Sequence, residues 1–301
     1  MTILTSLPSS DLEVQRYDLG ARLVYANPAP RSAVPGYGVP QSGLRLADDA
    51  AFYGNGHTIY CSDGSAGDSA IICLWRSSQD RASESTLIDG LRFGYGRYGI
   101  MTPWSADRPG NYTVAQWYQR GGHIVRNVWG TAYAKGIRIA ARETLVEDFN
   151  IWGVGGSTGE NARAIGITML GPQPVVRRGF VRRMVHIPSS APEAVGISFE
   201  GDCDGGLIED VEIGNQSLLP HLSIGIWLGS SHGVQVRRAR ISNMQYALDC
   251  SDASGVVEDV DTFNCEFGLA HIANDPRFKL RRCFDHKLVE GEWQTTDVSN
   301  T

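Results

Sequence analysis

The sequence is short of lysine, of paired cysteine motifs and of long apolar runs, and each shortage excludes something. Lysine occurs only at Lys135, Lys279 and Lys287, so 24 of the 27 basic residues are arginine. Arginine presents a planar fork that suits carboxylates and phosphates, so this bias requires a place in the fold. No Cys-x-x-Cys occurs among Cys61, Cys73, Cys203, Cys250, Cys265 and Cys283, which excludes the usual structural zinc sites and leaves small, buried, reduced thiols as the expectation. No stretch approaches the roughly 20 apolar residues of a membrane span. The opening MTILTSLPSSDLEVQ has neither a basic start nor an apolar stretch, so no secretory signal is read. The expected location is cytoplasmic or phage-borne, with secretion only by a non-classical route. The net charge of −6 argues against nucleic acid as the main partner. Helical periodicity is also missing after about residue 55. What remains, 42 % apolar residues in 301, is ample for a core.

Two short phrases alternate along the chain. One is Gly-Ile-x-apolar, at Gly136-Ile137-Arg138-Ile139, Gly166-Ile167-Thr168-Met169, Gly196-Ile197-Ser198-Phe199 and Gly225-Ile226-Trp227-Leu228, with looser copies from Ala247 and Gly268. The other is apolar-charge-charge-apolar, as in Val146-Glu147-Asp148-Phe149 and Ile208-Glu209-Asp210-Val211. A minimum period near 21 residues, with period-2 segments and Gly/Asn/Asp punctuation, accommodates three short strands and three turns. The reading is all-β: a parallel β-helix of about eight or nine coils over 51–287, with an N-terminal cap over 1–50 and a polar tail over 288–301. A short helix is expected near Leu44–Phe52. An insertion at about 101–121, rich in aromatic residues and arginine, is expected to act as a lid or an oligomer contact and to be dispensable for the core.

Down the expected stack the charged pairs run Arg126-Asn127, Glu147-Asp148, Arg177-Arg178, Glu209-Asp210, Arg237-Arg238, Glu258-Asp259 and Arg281-Arg282. Like charges on neighbouring rungs would lie about 4.8 Å apart and repel. Alternation therefore gives each charge an opposite neighbour and helps select the register.

The phrases GIRIAARETLVEDFNI, GISFEGDCDGGLIEDVEI and ALDCSDASGVVEDVDTF resemble the right-handed parallel β-helix of the pectate-lyase-like superfamily, and Asn55-Gly56-His57-Thr58-Ile59 resembles its opening coil. The resemblance spans about 52–284 and implies a substrate groove on one outer strand face and its following turns. In Gly-Ile-x-apolar the residue x points outward, giving a column Arg138, Thr168, Ser198, Trp227, Asp249, Ala270, with Glu200 two residues beyond Ser198. The adjoining turns add Asp202, Asp204, His232 and Asp252.

The expected catalytic residues are Asp249, Glu200 and Asp202, because residues two coils apart reach the carboxylate separation of inverting glycosidases. The expected substrate contacts are Trp227, Arg138, Arg142 and His232. Each is alternatively a solvated turn residue, and Trp227 alternatively packs under the loop carrying Leu218, Leu219 and Pro220. In a lyase of this fold the resemblance implies Ca2+ held by Asp202, Asp204 and Asp249, with Arg138 or Arg142 as base; otherwise no cofactor is expected. His232-Gly233 resembles part of the polygalacturonase Gly-His-Gly, with Ser231 in place of the first glycine and no paired aspartates. The functional expectation is a carbohydrate-active enzyme: a polysaccharide lyase, glycoside hydrolase or epimerase. The alternatives are a tailspike-like or adhesin-like glycan-binding protein, trimeric if spike-like, and an enzyme acting on a smaller metabolite. No membrane partner is expected.

Overall fold

Each apolar-charge-charge-apolar phrase folds as a corner. Val146 is buried, Glu147 ends a strand, Asp148 takes a left-handed φ of 53° and Phe149 re-enters the core on the next strand. The second charged residue does the same in coil after coil, at Asn127, Arg178, Asp210, Arg238, Asp259 and Arg282, with Gly90 in the equivalent place earlier. In a computed structural model describing residues 2–8, 10–13, 15–25, 41–62, 69–79, 81–103, 121–155, 164–184, 194–218, 222–250 and 252–300, these corners separate the first two faces of a three-sided, right-handed parallel β-helix.

The charged face holds eleven strands in parallel register among the described residues, beginning with 2–4, 16–18, 51–53 and 87–89 and ending with 278–281. Its ladder runs in strict register through Asp89, Arg126, Glu147, Arg177, Glu209, Arg237, Glu258 and Arg281. The ion pairs are grouped. Arg178 clamps both Glu147 and Asp148, at 2.6 and 2.8 Å, and Arg238 clamps Glu209 and Asp210 in the same way, at 2.7 and 2.6 Å. Looser contacts, Arg177–Glu209 at 4.0 Å and Arg237–Glu258 at 3.7 Å, join the groups. Each left-handed non-glycine residue costs about 1 kcal/mol or more, and the second-column pairings offset that cost.

The second face, here the aromatic sheet, stacks 23–25, 58–60, 92–94, 128–130, 149–152, 179–182, 211–214, 239–242, 260–263 and 284–286. The third, the glycine sheet, stacks 41–46, 69–74, 98–101, 135–140, 164–170, 194–199, 223–228 and 246–249. Its glycines mark an inside corner where no side chain fits. A Cβ on Gly166 would stand 2.6 Å from the Gly196 carbonyl and 2.4 Å from Val181, and one on Gly196 would stand 2.5 Å from the Gly225 carbonyl and 2.3 Å from Ile213. Neither glycine has a positive φ, so the requirement is space.

Two expectations at the ends are corrected. Among the described residues of the expected cap, 2–4, 16–18, 23–25 and 41–46 continue the same sheets. The expected helix at Leu44–Phe52 is strand, Gln41–Leu46 and Ala51–Tyr53, because alternate residues must reach the core. The tail is ordered as well. Phe284–Val289 and Glu292–Asp297 form an antiparallel hairpin through Glu290-Gly291, both at positive φ as a tight two-residue turn needs. Asn300 pins the end by accepting from the Leu280 N–H at 2.7 Å and donating to the Ala273 carbonyl at 2.7 Å. The hairpin thus pairs strand Phe284–Val289 and leaves the short, exposed strand Glu292–Asp297 as the outer edge. All six cysteines are buried and free, as expected. Most of the insertion, with Trp104, Arg108, Tyr112, Trp117, Tyr118 and Arg120, lies outside the described residues.

Candidate functional site

The outward column of the glycine sheet is in register as read from the sequence: Arg138 pairs with Thr168, Thr168 with Ser198, Ser198 with Trp227 and Trp227 with Asp249. It is not an open groove along its whole length. Arg138 is only 6 % exposed and donates from Nη1 to the Thr102 carbonyl at 3.2 Å, while Thr168 and Ser198 are fully buried. The column opens only at Trp227, Asp249 and the exposed Ala270. Arg138 is therefore corrected from a groove residue to a buried one. Period-2 alternation reports which side of a strand a residue takes, not what covers that side.

The other sequence-derived candidates divide into two groups. Glu200 is half-buried, lies two rungs from Asp249 and accepts a hydrogen bond from Ser198 Oγ at 3.2 Å. Asp202 is exposed at a left-handed φ of 53°, a conformation typical of a turn. Asp204 accepts from the His232 N–H at 2.7 Å, and the exposed His232 ring lies 3.2 Å from Ser254 Oγ, so these two tie successive turns together. Arg142 is exposed at a turn where its carbonyl accepts from Gly122 N at 3.1 Å. Among the described residues no three His, Cys, Asp or Glu side chains form a group able to hold a metal, so Asp202, Asp204 and Asp249 do not constitute the calcium site considered above. Burial, with the Asp249 charge adding to it, pushes the Cys250 thiol up to about 12, which removes it as a nucleophile at neutral pH.

Beside this column runs a second one that the sequence reading passed over. It consists of the residue preceding each glycine-phrase start: Ile165, Val195, Ile224, Tyr246 and Phe267, joined rung by rung. Ile165, Val195 and Ile224 form an apolar cluster separate from the main core, against which Leu222, Trp227 and Tyr246 pack. Leu218 is exposed, and Leu219 and Pro220 lie outside the described residues. From Tyr246 onward the column is aromatic and accessible. Tyr246 stacks on Phe267 with ring centres 4.7 Å apart and meets the His271 ring edge-on at 5.9 Å.

This stripe runs into a cavity of about 480 Å³ lined by Glu266, Phe267, Ala270, His271 and Lys287, among others. The buried Asp285 carboxylate shapes its wall, accepting from Thr262 Oγ1 and from the N–H groups of Leu269 and Ala270 at 2.7 to 3.0 Å. Gly268 is obligatory there, since a Cβ would lie 2.4 Å from that carboxylate. His271 Nδ1 lies 2.6 Å from the Gly268 carbonyl. A carbonyl only accepts, so Nδ1 is the donor in this contact. The C-terminal coils thus bring together Trp227, Tyr246, Phe267, Asp249, Glu266, His271 and Lys287. Reading the position before each phrase start, Ala247 and Gly268 included, would have found Tyr246 and Phe267.

No protein-family model matches the chain, and no curated protein matches it by sequence. Solved structures similar to it include a mutant tailspike protein of E. coli bacteriophage HK620 in complex with a pentasaccharide, at 9 % identity and a TM-score of 0.48, covering 90 % of this chain and 54 % of the tailspike. A double mutant of the same tailspike matches at 11 % identity and a TM-score of 0.33, over 83 % of this chain and 60 % of that one. A mutant of the periplasmic alginate epimerase AlgG matches at 10 % identity and a TM-score of 0.23, over 95 % of this chain and 66 % of the epimerase. The chain spans about half the length of the first of these proteins.

Proposed function

We propose that this protein is carbohydrate-active and takes its glycan on the outer face of the glycine sheet at the C-terminal coils. The observation that carries the reading is the accessible aromatic stripe of Tyr246 and Phe267 on consecutive rungs, with Trp227 of the adjoining column packed against the same apolar cluster, leading to a polar cavity. A sugar ring offers an apolar face and a rim of hydroxyls. Aromatic rings spaced by the coil repeat take the first, and Asp249, Glu200, Glu266 and His271 are the adjoining partners for the second.

For chemistry, Asp249 is two rungs from Ser198 in register, and Glu200 lies two residues beyond Ser198, so it stands about 9.6 Å along the axis and about 6.6 Å to the side. The proposal requires both side chains to lean inward to the 6.5–9.5 Å separation at which one carboxyl protonates the leaving oxygen and the other activates water. Asp249 is assigned as the base and Glu200 as the acid.

The test is a screen of acidic and neutral polysaccharides for new reducing ends and for absorbance from unsaturated products. Asp249→Asn keeps the side-chain size and should abolish turnover with an unchanged melting temperature. Tyr246→Ala should weaken binding about tenfold, the scale of a lost stacking contact. Full activity in Asp249→Asn overturns the catalytic assignment, and full affinity in Tyr246→Ala overturns the stripe. Binding without turnover in the unmodified protein leaves the tailspike-like reading in its place.

A further inference from the structure

The outer face of the aromatic sheet contributes nothing to the site above, yet it exposes large rings and arginines in a regular array. Trp129, Trp152 and Phe180 are 53, 48 and 39 % exposed. Trp129 pairs with Asn150 and Asn150 with Phe180, while in the neighbouring outward column Trp152 pairs with Arg182. Rings and hydrogen-bonding groups therefore alternate in both directions on a lattice set by the coil repeat. Arg92 lies 5.0 Å over the Trp129 ring and Arg182 lies 4.3 Å over Phe180. Next to them is a second cavity, of about 290 Å³, lined by Arg182, Arg183, Glu212, Asn215 and Gln216. Gly214 leaves it open, since a Cβ there would stand 2.2 Å from Ser242 Oγ. With its amide turned so that the oxygen faces Arg183, Gln216 accepts from Arg183 Nη2 and Nε at 2.8 and 3.2 Å.

We propose that this face is a second binding site, for an acidic glycan, with Trp129, Trp152 and Phe180 as stacking platforms and Arg183 beside the cavity as the carboxylate contact. Three features point to this ligand class. The rings are interrupted by Asn150 and Arg182, so they do not merge into the continuous apolar patch that a protein partner buries. They instead match a chain whose units each carry an apolar face and polar edges. The charge is complementary: Arg92, Arg182 and Arg240 lie along the face with Arg22 and Arg183 flanking it, against Glu212 and Asp261, on a chain whose net charge is −6. Finally, the cavity adjoins the stripe through Arg182, which belongs to both.

Affinity electrophoresis through gels containing polygalacturonate, neutral dextran or no polymer tests the proposal. The polyuronate should retard the protein, and 1 M NaCl should weaken the retardation. Trp129→Ala combined with Trp152→Ala should reduce affinity about tenfold or more, and Arg183→Gln should reduce it several-fold, all with melting temperatures within a few degrees of the parent. Tyr246→Ala, which removes stacking at the glycine sheet, should keep the retardation, so failure here and failure of the glycine-sheet reading are distinguishable. Three results overturn the proposal: no retardation, equal retardation by dextran, or tighter binding of a single-stranded oligonucleotide. So does light scattering that shows an oligomer dissociated by the double tryptophan variant, because the face would then be an interface between copies.

Discussion

Arg237→Glu is the sharpest test of the charge ladder. The substitution places a third carboxylate between Glu209 and Glu258, which are its neighbours in register on either side. Rungs about 4.8 Å apart give roughly 1 kcal/mol per like-charge pair at a water-like dielectric, and more where water is partly excluded. The Arg237 side chain is 39 % exposed and its contact to Glu258 is long, at 3.7 Å, so the attraction it loses is on the exposed-pair scale, about 0.5 kcal/mol. Arg238, 2.7 Å from Glu209, stays in place and absorbs part of the new repulsion. The expected total is about 2 kcal/mol for Arg237→Glu and about 0.5 kcal/mol for Arg237→Gln, which removes attraction without adding repulsion. At about 2 °C per kcal/mol for a chain of this size, the melting temperatures should fall by about 4 and 1 °C in 20 mM NaCl. In 1 M NaCl the screening length is about 3 Å, shorter than the rung spacing, so the two variants should converge. Equal melting temperatures at low salt, or a gap that survives high salt, would refute the ladder as an electrostatic device.

Two further predictions concern the core. Gly196→Ala forces a Cβ to within 2.3 Å of Ile213 and 2.5 Å of the Gly225 carbonyl, and should cost about 1–3 kcal/mol. Gly233→Ala, in open space but at φ +66°, carries backbone strain only, about 1 kcal/mol, so thermal melts should rank Gly196→Ala as the less stable. The second is a pH dependence. His123 is buried with Nδ1 2.8 Å from Thr86 Oγ1, and burial holds its pKa down at about 4, opposed only in part by the Asp48 charge. The folded value lies below the unfolded one of about 6.5, so this stability is complete above pH 6.5 and drains away as pH falls towards 4, by about 3 kcal/mol in all. Urea unfolding between pH 7 and 5 should show about 2 kcal/mol of this loss in the parent and a flatter profile in His123→Asn. Parallel profiles would show that His123 does not titrate on unfolding.

The ladder was legible because its elements are fixed by spacing alone: a two-residue charged phrase that recurs once per coil can only stack on itself. The glycine phrase was legible as a period, but its cause was not. The clash that excludes a side chain at Gly166 comes from Val181 and the Gly196 carbonyl, which are distant in sequence and adjacent only after coiling. The N-terminal coils were missed for a simpler reason. Gly43-Leu44-Arg45-Leu46 is the same phrase with leucine in place of isoleucine, and Arg45 pairs with Cys73 as Arg138 pairs with Met101. Proline-rich surroundings and unequal spacing hid it. At the site, Trp227 and Asp249 were placed in the right column, whereas the burial of Arg138, Thr168 and Ser198 was not foreseeable.

The three faces divide the chemistry, and the division explains the arginine excess. From Asp89 to Arg282 the charged face carries the acids Asp89, Glu147, Asp148, Glu209, Asp210, Glu258 and Asp259 against Arg126, Arg177, Arg178, Arg237, Arg238, Arg281 and Arg282. The two sets cancel, so this face projects little field, and its charges serve register. The arginines that do shape recognition lie elsewhere, four of them stacked on rings of the aromatic sheet, where a flat, weakly hydrated guanidinium stacks better than an ammonium. Lysine is scarce for a related reason. A clamp such as Arg178 on Glu147 and Asp148 needs several donors in a fixed fork to hold two carboxylates at once. Arg178→Lys should therefore keep the charge and lose the clamp. If it melted with the parent at low salt, the fork geometry would not matter and the arginine bias would need another cause.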